Sequence, residues 1–337
     1  MLVEEDLSLL DIYYNTYRYF SYSAIKLLLY SPVAYKNKYI LKEDEEEIVS
    51  KYLIKGKLTH CLLLNPHELN NQFIITPNKV PEGNSKLIVD RIFKEGQALP
   101  EKSLEDFGAD ILYILQEINL HQKLTTDEQR IKKVCTEDNI AYYEFLKQSK
   151  GKALVAEAVH KECAEVAKIL SSDPKLRELL HTDVDPFQSE ILVFNEFEIK
   201  MENTKLGFGF KGILDNFSIN KTEKVVRIVD LKCSDRGLEE FPETLEYYKY
   251  WIQGLLYSEL VAYYCKQLGI DLTGYTFELY FLVVDEYRNY YPFPVSKETM
   301  QEWKDRFALE VIPALQYHYY SKDFTLPYKL AMGAITL

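Results

Sequence analysis

The stretch Leu206–Cys233, LGFGFKGILDNFSINKTEKVVRIVDLKC, decides the fold. Its first half, Leu206 to Ile219, is glycine-punctuated and rich in aromatic and β-branched residues, the composition of a strand. Its last part, Lys224 to Cys233, alternates around the β-branched core VVRIVDLKC. Asn220-Lys221 between them is a hairpin-turn signal. Paired as a hairpin, the two strands bring Asp215, at the end of FGFKGILD, next to Asp230 in VVRIVDLK. Residues two apart on a strand share a face, so Asp230 and Lys232 project together.

Working outward, Ser189 to Phe197 reads as a preceding strand, with Asn203-Thr204 as its turn. Downstream, a long helix is expected from about Glu243 to Gln267, closed by Gly269. Strands follow at Tyr275–Val284 and Tyr290–Val295, and Ser296 caps a final helix to about Tyr320. Before Pro186 the period is helical. Ser21 or Ser23 caps a short helix carrying Ile25, Leu28 and Leu29; Ser31-Pro32 interrupts it and helix resumes to Tyr39. Ser50 to Leu64 is a helix ended by Asn65-Pro66, in which Gly56 costs about 1 kcal/mol relative to alanine and permits close backbone approach. Residues 85–180 are mainly helical, with a start at Asp173-Pro174. The run Glu43–Glu47 reads as a solvated loop or helix start. The expected class is α/β (α+β): a central mixed β-sheet flanked by helices, behind a helical N-terminal half. The expected division is a mainly helical 1–185 and a β-β-β-α-β core in 186–337, together one compact catalytic unit. No internal repeat or low-complexity linker interrupts it.

The 337 residues suffice for a sizeable core, and an apolar fraction of 47% excludes a disordered chain. A formal net charge of −12 excludes a polybasic coat for nucleic acid, though not an enzyme with a local basic track. The cysteines, Cys61, Cys135, Cys163, Cys233 and Cys265, are odd in number and form no CxxC unit. A disulfide scaffold or cysteine-only zinc site is thus not expected, and a reducing cytoplasm fits. Met1 is followed by acidic residues and no apolar run is long enough to span a bilayer, so neither a signal peptide nor a membrane association is expected.

The chemistry concentrates around the hairpin. Two adjacent carboxylates, Asp215 and Asp230, can hold a divalent cation such as Mg²⁺ through hard oxygen ligands. Lys232 on the same face can orient a water or steady charge on a phosphate, the composition of a metal-dependent phosphodiester hydrolase. An acid two before a lysine is common, and the chain also has Asp173-Pro-Lys175, Glu198-Ile-Lys200 and Glu302-Trp-Lys304. Only Asp230-Leu-Lys232 follows a strand ending in Asp and precedes a long helix. That helix carries Gln253 and Tyr257 at i,i+4, on one face. Gly56 and His60 share the same spacing on the helix 50–64, and a neutral imidazole can complete a carboxylate-rich metal site. The bland readings are a surface ion pair, an amphipathic helix and an ordinary helical histidine.

In order, the set is GxxxH, GxxD, DxK and QxxxY, and here the chain resembles a known family. It is similar to the RecB-type branch of the PD-(D/E)xK nuclease superfamily, nearest to RecE-like exonucleases (exodeoxyribonuclease VIII) and related phage exonucleases. SYSAIKLLLYSPVAYKNKY resembles that group's N-terminal serine segment, and GKLTHCLLLNPHELNNQFII its G-x-x-H-x-x-L-L-x-P stretch. YYEFLKQSKGKALV, SSDPKLRELL and Glu190 in SEILVF match its middle region loosely. The resemblance implies a restriction-endonuclease-like core. It implies metal-ligand roles for Asp215, Asp230, the Leu231 carbonyl and His60, and a catalytic role for Lys232. Gln253 and Tyr257 would line the site, and Glu190 would orient a ligand or water. Leu214 stands where the family often has proline, and Asp230 where it often has glutamate. The implied cofactor is Mg²⁺, with Mn²⁺ as a substitute. No tight cysteine group follows Tyr257, so no iron–sulfur cluster is expected.

The implied activity is a Mg²⁺-dependent DNA exonuclease, hydrolysing linear DNA in recombination, repair or phage replication within the cytoplasm of a bacterial or phage-infected cell. Rival readings are a catalytically inactive nuclease-fold DNA-binding or structural phage protein, and an endonuclease of the same superfamily. The partner is DNA, as double-stranded ends or single strands. By analogy there is also a single-strand annealing protein and a homo-oligomeric ring. Candidate DNA contacts are Lys26, Lys36, Lys38, Lys51, Lys55 and Lys57. Tyr22, Tyr247, Tyr248 and Trp251 are candidates for stacking on unpaired bases, with core packing as the bland reading of each.

Overall fold

The computed structural model describes residues 18–42, 51–77, 79–95, 101–184 and 190–334. The acidic run at 43–47 and residue 189 lie outside them. The chain divides into two units: residues 1–56 with 169–337, and residues 57–168. The first unit thus joins residues from both sides of position 185. The first helices belong with the sheet because Tyr19–Phe20 pairs with Gly209–Phe210, a contact no local pattern announces.

Among the described residues, the first unit is built on a six-stranded mixed sheet. Its strands are β1 (Tyr19–Phe20), β2 (Ile191–Met201), β3 (Gly209–Asn220), β4 (Val225–Cys233), β5 (Thr276–Val284) and β6 (Tyr290–Val295). β2, β3 and β4 run as an antiparallel meander. β4 and β5 are parallel, so the chain must cross over between them, and it does so through helix. β6 closes the edge antiparallel to β5, and β1 lies parallel to β3. Both expected turns are present. Asn203 accepts the Leu206 N–H through its side chain (3.2 Å), and Asn220 accepts Thr222 and Glu223 N–H groups (3.1 and 2.9 Å), the local bonding that makes Asn a turn residue.

Helix α1 (Tyr22–Tyr30) starts at Ser21, whose hydroxyl accepts the Ala24 N–H, and buries Ala24, Ile25 and Leu28. The crossover is two helices, α2 (Phe241–Tyr248) and α3 (Tyr250–Gln267), and not the one continuous helix expected. Lys249 between them adopts a left-handed φ of 57°, which ends α2 and turns α3 onto the sheet. Propensity could not show this, since lysine is a good helix former. Likewise the helix from Ser296 is interrupted. It comprises α4 (Lys297–Arg306), a wide π-turn at Phe307–Val311 and α5 (Ile312–Ser321), with Pro313 in the first turn of α5.

α3 is buried along much of its length because it fills the core between sheet and α4: Trp251, Ile252, Leu256, Leu260 and Val261 all pack there. Gly254 lets it approach closely, for a Cβ there would lie 2.7 Å from Leu279 and 3.1 Å from Trp303. Phe194 on β2 stacks on its cross-strand partner Phe217 at 4.5 Å, and Tyr264 of α3 meets Phe194 edge-on at 5.5 Å. Such pairs add about 0.5–1.5 kcal/mol each beyond area burial.

Strict alternation fails at one level of the sheet. Two residues intervene between core-facing Phe194 and Phe197 on β2, and two between Leu214 and Phe217 on β3. Glu196 holds φ at 45° there. Asn216 donates to Asn195 Oδ1 (2.8 Å) and to the Leu180 carbonyl (3.1 Å), fastening the break. Asp215 lies at this break.

The second unit has its own core around Ile88, Val89, Ile92, Leu104, Ile111, Leu115 and Tyr143. Its helices include Gly83–Glu95, Gly108–Glu117 and Glu137–Ser149, the last capped by Thr136. It also holds a two-stranded parallel sheet, Phe73–Thr76 with Ala153–Ala156, which helical periodicity concealed because each strand is only four residues long. Helix Lys51–Leu64 runs as expected, but a Cβ on Gly56 meets nothing within 4 Å among the described residues, so no close backbone approach depends on that glycine. Among the described residues no helix is long and apolar enough to cross a membrane.

Candidate active site

The hairpin delivers Asp215, Asp230 and Lys232 to one place. β3 and β4 pair from Asn220↔Val225 as far as Asn216↔Val229. Continuing that register sets Asp215 opposite Asp230. The ladder ends there, because the Asp215 carboxylate accepts the Leu231 N–H at 2.7 Å in place of a backbone carbonyl. β1 occupies the same edge of β3 only at Gly209–Phe210. Among the described strands, residues 211–215 therefore face an opening between β1 and β4.

The opening is organised by α3. Tyr257 donates its hydroxyl to the Ile213 carbonyl at 2.7 Å, satisfying a strand group that the ladder leaves over. Gln253, one turn earlier, donates to the Tyr257 oxygen (2.9 Å) and to Asp230 Oδ1 (3.0 Å). The i,i+4 spacing read from the sequence thus aims both groups at the hairpin. Gly212 is required here: a Cβ would lie 2.7 Å from the Tyr257 ring and 3.0 Å from Leu260. Gln253 Oε1 is buried without a hydrogen-bond partner among the described residues.

Asp230 is 1% exposed, and its second oxygen meets the Lys232 ammonium as an ion pair. Lys232 in turn lies 4.7 Å from the centre of the Tyr250 ring. Burial works against the lysine's charge, but Asp230 and then Asp215 outweigh it and hold the ammonium above its ordinary pKa. Tyr257 is pushed well above its ordinary value by burial and the same two carboxylates, so it stays a neutral donor. Tyr250 is raised as well, chiefly by burial.

The remaining candidates are placed differently. Glu190 is exposed, and its carbonyl accepts the Lys221 N–H, at the far end of β3 from Asp215. Six strand positions separate the two levels, about 20 Å. The expected orienting role for Glu190 is therefore not supported by its position. The β2–β3 register skips from Asn195↔Asn216 to Phe197↔Leu214, which leaves Glu196 level with Asp215 inside what read as a regular strand. His60 lies in the second unit, on the helix Lys51–Leu64. Trp251 is core, 1% exposed beneath the Arg306 guanidinium, and unavailable for stacking on a base. Tyr22 and Tyr248 do border the site, joined by a 2.6 Å bond from the Tyr22 hydroxyl to the Tyr248 carbonyl, and Tyr247 is 77% exposed. Tyr250 was not singled out from the sequence; its position just after the helix break at Lys249 is what brings it over Lys232.

The donor set suits a hard divalent cation by type. It offers two carboxylates on neighbouring strands, with the Leu231 peptide between them, and Mg²⁺ is commonly held by only one or two protein carboxylates. Among the described residues no group of three or more His, Cys, Asp and Glu side chains converges. Among the described residues, Asp215 and Asp230 are the carboxylates that both face Lys232.

The chain matches no protein-family profile, and no curated protein matches it. Among solved structures it is similar to a "putative exonuclease" from Eubacterium rectale, at 12% identity and a TM-score of 0.42, over 95% of this chain and 89% of that one. Identity this low says nothing about chemistry, which the side chains must carry by themselves.

Proposed function

We propose that the chain is a metal-dependent phosphodiester hydrolase acting on DNA, an exonuclease that degrades linear molecules. The observation that supports this reading is the convergence of Asp215, buried Asp230 and Lys232 at the end of one hairpin, with Gln253 and Tyr257 fixing it from α3. A buried carboxylate–lysine pair is a poor stabilising device compared with apolar packing, so its presence at an opening in the sheet favours a chemical role.

In this reading Asp215, Asp230 and the Leu231 carbonyl would hold the cation, which supplies charge neutralisation at the phosphate and acidifies a water. Lys232, kept protonated by the two aspartates, stabilises the charge that builds on the phosphoryl oxygens. Gln253 holds Asp230 in one rotamer, and Tyr257 ties α3 to the strand edge, so that neither carboxylate must reorganise during the reaction.

The test is hydrolysis of linear and of closed circular duplex DNA by the purified full chain, with Mg²⁺, with Mn²⁺ and with EDTA. Loss of linear DNA alone, abolished by EDTA, is the expected result. Nicking of circles would replace the exonuclease with an endonuclease. Failure to cut either substrate with either metal would overturn the enzymatic reading in favour of a DNA-binding or structural protein.

A further inference from the structure

A second lysine stands at the site. Lys26 is on α1, one turn after Tyr22, and is half-buried. Its ammonium lies 5.6 Å from the Tyr22 ring centre and 5.3 Å from that of Tyr248. Tyr22 and Tyr248 each neighbour Tyr250, at 6.1 and 5.5 Å between ring centres, and Tyr250 carries the Lys232 ammonium. Three tyrosine rings thus hold two ammonium groups side by side.

The pairing of the two lysines is unequal. Lys232 has Asp230. Among the described residues no carboxylate lies within ion-pair distance of Lys26, although this chain has 52 acidic residues to draw on. Burial, and then the charge of Lys232, lower the pKa of Lys26. Cation–π contact with the two rings returns only part of the cost of that burial. Even so, an unpaired ammonium drawn out of water toward a like charge is a local cost, and a lysine stem is long enough to snorkel to solvent instead. Local costs of this kind collect where a ligand provides the missing partner.

We propose that Lys26 binds a phosphate of the substrate strand adjacent to the one faced by Lys232, so that the site grips a run of consecutive phosphodiesters rather than a single one. Tyr22 and Tyr248 hold the ammonium in place. The Tyr22 hydroxyl bond to the Tyr248 carbonyl fixes α1 against the end of α2, and so fixes the separation of the two cations. This inference rests on the proposed function for the identity of the strand as DNA, but its test does not depend on catalysis.

Binding of a fluorescent oligonucleotide is measured by anisotropy in EDTA across a salt series. Each phosphate contact contributes about 0.7 to the slope of log K against log salt on single strands and about 0.9 on duplex. Lys26→Met keeps the apolar stem and removes the charge; it should flatten the slope by about one contact, and Lys26→Arg should restore it. Lys26→Gln serves if the methionine variant misfolds. With the metal present, Lys26→Met should raise KM for DNA more than it lowers kcat. An unchanged slope, or a loss that arginine does not rescue, overturns the proposal, as does failure of the wild type to bind DNA. A wild type that binds but does not cut overturns the proposed function and leaves the slope to decide the role of Lys26.

Discussion

Asp230 and Lys232, two positions apart on β4, close on each other as a buried ion pair, and the ammonium of that pair rests on the face of Tyr250. The carboxylate is 1% exposed and the lysine side chain 14%, so neither charge is relieved by solvent. Removing one member of such a pair leaves the other stranded, at about 3–5 kcal/mol, whereas removing both can be close to neutral. Lys232→Met should therefore lower stability in urea by about 3 kcal/mol and reduce DNA hydrolysis by about 10²–10³-fold. Adding Asp230→Asn should recover much of the stability and none of the activity. If single and double variants unfold at the same denaturant concentration, the two charges are not coupled.

Gly212 faces Tyr257 across a gap with no room for a methyl group. A Cβ there would lie 2.7 Å from the ring edge and 3.0 Å from Leu260, both anchored on a buried helix. Gly212→Ala should cost about 1–3 kcal/mol through overpacking and push the Tyr257 hydroxyl off the Ile213 carbonyl. Tyr257→Phe removes that hydroxyl without changing the packing. It leaves the Ile213 carbonyl without this donor and Gln253 with only its bond to Asp230, for about 1–3 kcal/mol. The two variants should each slow hydrolysis, and combined they should cost less than their sum because they break the same bond. Strict additivity of their unfolding free energies would show that Gly212 and Tyr257 act independently.

The hairpin was legible because its signals are local. Period-2 alternation in VVRIVDLKC and an Asn-led turn set the pairing of Asp215 with Asp230, and i,i+4 spacing placed Gln253 with Tyr257. What was missed depends on long-range contact. Tyr19–Phe20 joins the sheet 190 residues downstream, and nothing in its neighbourhood announces a strand. The face switch at Asn195–Glu196 and Asp215–Asn216 is held by bonds from Asn216 to Asn195 and to the Leu180 carbonyl, partners 21 and 36 residues away. Lys249 takes a left-handed conformation that its helix propensity argues against. Tyr250 and Lys26 acquire their significance only once α1 and α3 are both docked.

Thiol reactivity should separate the five cysteines. Cys233 is exposed at the end of β4, while Cys61, Cys163 and Cys265 are buried and Cys135 is half-buried. Burial pushes the Cys265 thiol up to about 11, and burial with Glu105 does the same to Cys135, leaving little thiolate at pH 8. A colorimetric disulfide reagent should find one fast-reacting thiol in the native protein and the other four only after denaturation. Cys233→Ser should abolish the fast phase. Any fast thiol remaining in that variant would mean that the other cysteines open on the timescale of the assay.

Two histidines set the stability of the fold on the acid side of neutrality. His318 is buried, its ring stacked on Phe324 at 5.7 Å and its Nδ1 2.6 Å from the Asp323 carbonyl. Burial depresses its pKa below 6.5 despite the opposing pull of Asp323. His181 is lowered by burial and then by the Arg227 guanidinium, against weaker pulls from Glu178, Glu223 and Glu278. A histidine with a folded pKa below its unfolded value of about 6.5 binds protons more readily when unfolded, so stability is complete above that pH and falls as pH drops through it. Asp173 and Asp323, held below the usual carboxylate range by hydrogen bonds led by Tyr290 and Thr325, stay ionised throughout this window and do not contribute to the slope. The melting temperature should therefore decline between pH 7 and pH 5, and replacing both histidines with glutamine should flatten that decline whatever it does to the value at pH 7. Parallel pH curves for the wild type and the double variant would assign the acid sensitivity to other groups.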